Sequence, residues 1–176
     1  MASEDFIKDF KTLIIVRISL IFLYLALTFP IPFIVPDQLK IFSIICFIFG
    51  LLAIIELTND YVKTDKKGIF YKTNLISRIT GNKSWQLLWK DIKEIRDYQT
   101  SQGSKVYYFV NNEDNMFLVP NRINNLSEFS LLIKEHTEFK SIVLNYISPF
   151  WTYKLLFFLS ALMFITEIIS FISYQY

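Results

Sequence analysis

Hydrophobic and polar positions are segregated along this chain into three apolar runs and one long stretch of mixed character. Thr12 to Phe29 is interrupted only by Arg17 and a few hydroxyls, Ile41 to Ile55 is free of charge between Lys40 and Glu56, and Leu155 to Thr166 is free of charge between Lys154 and Glu167. A helix rising about 1.5 Å per residue needs roughly 20 residues to cross the hydrocarbon core of a bilayer. The first run nearly reaches that length, and the other two reach it once their flanking charges lie at the interface, where long side chains extend toward water. Phe, Ile and Leu surround the whole circumference of each run, unlike the single apolar stripe of a soluble helix. The pattern predicts three transmembrane helices.

Between the second and third runs the periodicity becomes alternating. Tyr61-Val62-Lys63-Thr64 and Gly68-Ile69-Phe70-Tyr71-Lys72 flank Asp65-Lys66-Lys67 and predict a hairpin turning at the charged triplet. Leu75–Ile79, Trp85–Trp89, Ile92–Arg96, Lys105–Val110 and Met116–Val119 complete a series of six or seven short strands, separated by turn signals around Gly81, Gly103 and Asn111 to Asn115. After Pro120 the spacing of Ile123, Leu126, Phe129, Leu132 and Ile133 marks one face of a helix, with Asn125 or Ser127 available as N-cap. The expected fold is a membrane α-helical anchor of three transmembrane helices plus an α+β domain, a curved antiparallel sheet or partial barrel capped by a C-terminal helix. The expected boundaries are a tail at 1–11, a helical hairpin at 12–57, the strand-rich domain at 58–147, and the third helix with a short outer end at 148–176.

Composition agrees with this division. A chain that is 53% hydrophobic and 19% charged is too apolar for a soluble protein and too charged to lie wholly in lipid. No small-residue cleavage site follows the first run, so it is expected to stay as an anchor. Lys8, Lys11 and Arg17 precede or begin the first helix, only Lys40 lies in the loop between the first two, and nothing basic follows Lys154. The Lys and Arg bias places the N-terminus and the domain on the cytoplasmic side and the end of the chain outside. The single cysteine, Cys46, lies within the second apolar run and offers neither a disulfide framework nor a thiolate metal site.

The opening hairpin Tyr61 to Ile69, the segment Leu88-Trp89-Lys90-Asp91-Ile92-Lys93-Glu94-Ile95, and Phe117-Leu118-Val119-Pro120 leading into a helix resemble a bacterial pleckstrin-homology-like domain over about half the chain. That resemblance implies a binding or scaffolding module, because such families share no catalytic residues. A narrower resemblance, carried by the membrane hairpin and the stretch Lys90 to Ile95, is to the photosystem I assembly factor of plastids and cyanobacteria. The third helix departs from that pattern.

The residues themselves suggest no reaction, no catalytic group, no metal site and no cofactor. The only histidine, His136, sits on the terminal helix near Glu135 and Glu138 and is expected on a solvated face, and no Gly-rich phosphate loop occurs among four glycines. Residues 59–147 hold 13 basic and 10 acidic side chains. Lys63, Lys66, Lys67 and Lys72 gather on the first hairpin and form the candidate lipid-headgroup site. Arg17 and Glu56 lie at the cytoplasmic margins of the first two helices as a candidate intramembrane pair, and Glu167, toward the far end of the third, is a candidate partner contact. The small net charge argues against nucleic acid. The expected function is a non-enzymatic accessory, assembly or scaffolding factor that binds membrane lipids or a protein partner in a membrane complex. The alternative is a small transport or channel subunit with a regulatory domain.

Overall fold

The computed structural model describes residues 6–175 apart from 80, 82, 102, 138 and 140–143. The chain divides into a sheet unit, residues 1–13 and 59–149, and a helical unit, residues 14–58 and 150–176.

The sheet unit contains two antiparallel sheets. The first has the order β1 (Phe6–Lys11), β2 (Tyr61–Asp65), β3 (Gly68–Lys72), β4 (Trp85–Leu88), and the second has β5 (Ile92–Gln99), β6 (Lys105–Asn111), β7 (Met116–Leu118). Residues 6–11, expected within a tail, are thus a strand. Phe10 is fully buried in the core, opposite Val62 in the register and edge-on to Phe129 with ring centroids 5.2 Å apart. Backbone bonds from Leu13 N to the Arg122 carbonyl and from Asn124 N to the Lys11 carbonyl, both 2.8 Å, fasten the end of β1 to the segment before the terminal helix.

The hairpin turns where the charged triplet predicts. Asp65 Oδ1 accepts from the amides of Lys67 at 2.7 Å and Gly68 at 2.6 Å, so the aspartate satisfies the turn's backbone donors itself. Gly68 is required by close approach, since a Cβ there would lie 2.9 Å from the Leu88 Cα and against the Leu87 carbonyl.

Two segments depart from the sequence expectation. Leu75–Ile79, expected as a strand, is a short helix, α4. Asn74 initiates it by accepting the Ser77 amide at 2.6 Å, the side-chain geometry that favours asparagine before a helix. Trp89 leaves the strand register: Trp89–Asp91 is a 3-10 turn, and the β5–β6 pairing shifts between Ile92 and Glu94. Turn and bulge together place both Trp89 and Ile92 in the core, whereas regular alternation would have put them on opposite faces.

The terminal helix, α5 (Leu126–His136), buries Leu126, Phe129, Leu132 and Ile133 as the spacing predicts. Asn125 stands at its N-cap position in the left-handed conformation, φ 51°, without a side-chain capping bond.

The helical unit comprises α1 (Ile14–Thr28), the one-turn α2 (Ile31–Ile34), α3 (Asp37–Leu57) and α6 (Phe150–Gln175). Three stretches, Ile14–Ile34, Asp37–Leu57 and Phe150–Ser173, are long and apolar enough to cross a membrane. α1 and α6 run parallel, as successive ring pairs Phe22–Phe157, Phe29–Phe164 and Phe33–Phe171 show. Between them lie the buried small residues Ser19, Ala26 and Ser160, and Ser19 Oγ donates to the Tyr153 carbonyl at 2.9 Å. Close packing of small residues and interhelical hydrogen bonds of this kind are what hold apolar helices together where burial from water does not. α3 joins α1 through Tyr24, whose hydroxyl donates to the Phe47 carbonyl at 2.8 Å and whose ring fills the space left by Gly50.

Candidate functional site

The four hairpin lysines do not converge. Lys63 is half-buried, 3.8 Å from Asp9 and 5.7 Å from the Tyr61 ring. Lys72 lies 5.6 Å from the same ring. Lys66 and Lys67 are exposed at the turn, and Lys67 and Lys72 are five positions apart along β3, about 16 Å at the usual rise. The hairpin therefore offers two separate basic ends.

A larger pattern includes three of these lysines and all of Lys72's neighbourhood. From 66 to 90 the chain carries Lys66, Lys67, Lys72, Arg78, Lys83 and Lys90 and no Asp or Glu. All six are exposed, and among the described residues none takes part in an ion pair. The antiparallel β3–β4 pairing, Gly68 opposite Leu88 and Tyr71 opposite Trp85, sorts them into two groups. Lys66, Lys67 and Lys90 stand at the hairpin turn, where Trp89 N donates to the Lys67 carbonyl at 3.0 Å. Lys72, Arg78 and Lys83 bracket α4 at the opposite end. Sequence reading of the hairpin alone missed Arg78, Lys83 and Lys90; the signal was 25 residues without an acid.

Asp60 fixes the α4 end. Its carboxylate accepts the Asn74 amide at 2.9 Å, the Asn74 side-chain nitrogen at 2.7 Å and the Tyr71 hydroxyl at 3.0 Å, while its carbonyl accepts the Thr12 hydroxyl at 3.0 Å. Burial, with the Asp60 carboxylate beside it, pushes the Tyr71 hydroxyl well above its ordinary value of 10.0. One carboxylate so ties the starts of β2 and α4 to the ends of β1 and β3. The clamp holds a helix that leaves Leu75 at 63% and Ile79 at 78% exposed, i and i+4 on one face.

At the turn end a cleft of about 470 Å³ is lined by Trp89, Lys90, Lys93, His136 and Phe139 among others. His136 is not on a solvated face: it is half-buried and stacks on Trp89 at 4.8 Å, with Nδ1 3.0 Å from the Leu132 carbonyl. Glu138, expected near it, lies outside the described residues. Trp89 is anchored beneath the cleft, its indole nitrogen donating to the Asp65 carbonyl at 2.9 Å. No group of three metal-ligating side chains occurs among the described residues.

In the helical unit, Arg17 lies in the first turn of α1 and Glu56 one residue before the end of α3, both half-exposed. Glu167 of α6 is half-buried, and its Oε2 is enclosed without a hydrogen-bond partner among the described residues. It borders a cavity of about 390 Å³ formed with Phe29, Phe33 and Ser170.

Over 148 residues the chain is 28% identical to an uncharacterized protein of Synechocystis sp., a match covering 81% of this chain and 74% of that protein. No family model and no solved structure matches it.

Proposed function

We propose that this chain is a non-enzymatic integral membrane protein whose pleckstrin-homology-like domain binds anionic lipid headgroups from the cytoplasmic side, as an accessory or scaffolding factor of a membrane complex. The observation that carries the reading is the run of six exposed cations at 66–90 that have no ion-pair partner among the described residues. A cation already paired with a carboxylate exerts little field at a distance, whereas an unpaired one near an anionic surface contributes about 1 kcal/mol. Seven strands in two sheets followed by one helix, with the helix face packed into the core, support the pleckstrin-homology-like assignment.

Topology supports a membrane anchor on one face. β1 and β2 pair through Lys11 and Tyr61, so the chain leaves and rejoins the sheet at neighbouring points. The spans 14–34 and 37–57 then form a return hairpin, and the parallel course of α1 and α6 carries the C-terminus to the opposite face. The Lys and Arg bias assigns the sheet unit to the cytoplasm. Within this reading Arg17 and Glu56 lie at the same end of antiparallel helices and form an interhelical pair. Glu167, at the outer end, meets a protein partner.

The test is native mass spectrometry of the full chain in detergent, with phosphatidylglycerol and phosphatidylcholine supplied equally. Preferential retention of phosphatidylglycerol, lost at high salt, is expected; equal retention would overturn the reading. Sidedness is checked by reporters active only in the cytoplasm. One inserted at Gly103 should be active and one after Tyr176 silent.

A further inference from the structure

We infer that α4 is a membrane-inserting foot: Leu75 and Ile79 enter the bilayer interface while Lys72, Arg78 and Lys83 engage anionic headgroups around them. The inference rests on the lipid-binding reading and specifies its site, which is the α4 end of β3–β4 and keeps only Lys72 of the four hairpin lysines.

Three observations converge on this end. The two most exposed large apolar side chains of the sheet unit, Leu75 and Ile79, occupy one face of the same short helix. Nothing about local sequence requires a folded domain to present them to water. The exposed cations Lys72, Arg78 and Lys83 flank that helix with no carboxylate between them in the chain. Arg78 contributes further order through its 3.4 Å contact with Ser84 Oγ, the hydroxyl that also accepts the Thr73 amide at 3.2 Å. An apolar wedge ringed by Lys and Arg is the composition that binds an anionic interface, apolar burial adding to electrostatic attraction.

The choice of a bilayer over an acidic protein follows from chain length. Asp60, which holds Asn74 and thereby α4, comes three residues after Leu57, the last residue of the second apolar span. Three residues of chain reach at most about 10 Å. The clamp is therefore tethered within one headgroup layer's depth of the end of that span. Among the described residues the turn end, with Lys66, Lys67 and Lys90, shows no exposed apolar side chain of this size, and it lies a strand's length from α4.

The full chain, with Cys46→Ala to remove its single thiol, is labelled with an environment-sensitive fluorophore at Leu75→Cys, Ile79→Cys or Leu118→Cys and placed in nanodiscs of phosphatidylcholine with or without phosphatidylglycerol. Leu118 serves as control because it is 45% exposed on β7, in the other sheet. In discs containing phosphatidylglycerol, emission at 75 and 79 should shift to the blue and lose most of its intensity to nitroxide-labelled lipid, while emission at 118 does neither. Lys72→Glu with Arg78→Glu should abolish the shift at both positions. Quenching no greater at 75 and 79 than at 118 overturns the foot. So does photo-crosslinking from position 79 to a second copy of the chain in place of phospholipid. If phosphatidylglycerol retention persists in mass spectrometry without quenching, the lipid-binding reading stands and only the foot fails; loss of both removes the two together.

Discussion

Two stretches of the sheet unit, residues 66–90 and residues 91–115, treat their cations differently. In the segment of the second sheet, residues 91–115, three basic side chains stand against five acidic ones, and each base has a partner: Lys93 with Asp114 at 2.9 Å, Lys105 with Asp97 at 2.7 Å, and Arg96 with Glu94. The hydrogen bond from Lys105 holds the Asp97 carboxyl below its ordinary value, and that from Lys93 does the same for Asp114. In the first sheet, residues 66–90 offer six bases and no acid. Exposed pairs of the first kind contribute little to stability and cancel each other's field. Cations of the second kind leave a field for which a ligand is the natural counterpart. Number of lysines is thus a poor guide to a binding surface; their compensation is a better one.

The largest expected effect tests whether the sheets form one body in which this contrast has meaning. Trp89 lies at the junction between β4 and β5, 6% exposed, bonded to the Asp65 carbonyl and stacked on His136. Trp89→Ala should cost about 3–5 kcal/mol, read as loss of the cooperative thermal transition in detergent. Trp89→Phe keeps a ring and loses the N–H donor, and should cost about 1 kcal/mol. A folded Trp89→Ala protein that merely loses ligand would make the tryptophan part of an exposed site instead.

Next is the clamp that displays the basic end. Asp60→Ala removes three accepted hydrogen bonds and should cost about 1–3 kcal/mol, with amide exchange accelerating selectively at Leu75 to Ile79. Because the Tyr71 hydroxyl holds its proton more tightly folded than unfolded, its contribution is complete below about pH 10 and is lost as pH rises beyond that value. Tyr71→Phe should flatten the alkaline decline in melting temperature; an unchanged slope would place the alkaline sensitivity elsewhere.

The contrast itself is tested by charge reversal. Lys72→Glu, Arg78→Glu and Lys83→Glu together should each remove about 1 kcal/mol of attraction to an anionic surface, a retention loss on the order of a hundredfold in native mass spectrometry. Lys93→Glu, Arg96→Glu and Lys105→Glu, the same change of net charge made in the other sheet and away from α4, should change retention much less. Equal losses from the two triple variants would show that net charge alone governs binding.

The smallest effect concerns acid. Lowered carboxyl values at Asp97 and Asp114 mean stability that is present above the unfolded carboxylate range and fades as pH falls through the folded values. The groups are fully exposed, so the melting temperature should fall only slightly in that range, and the fall should vanish in high salt.

Local signals were legible in the sequence wherever the determining contacts are local. Apolar runs of bilayer length, the Asp65-Lys66-Lys67 turn and the buried face of α5 depend on neighbours a few positions away, and the chain states them directly. β1 could not be read this way, because its partner Tyr61–Asp65 lies beyond both first spans and only pairing across that insertion makes Phe10 a core residue. Leu75–Ile79, flanked by strands and turn signals, reads as one more strand, yet Asn74, held by Asp60 from fourteen positions earlier, starts a helix there. The same holds for charge: the sequence supplies the lysines, but which carboxylate reaches which ammonium depends on strand register. That is why the hairpin lysines read as one cluster, whereas tertiary pairing neutralises Lys63 against Asp9 and leaves the α4 end exposed.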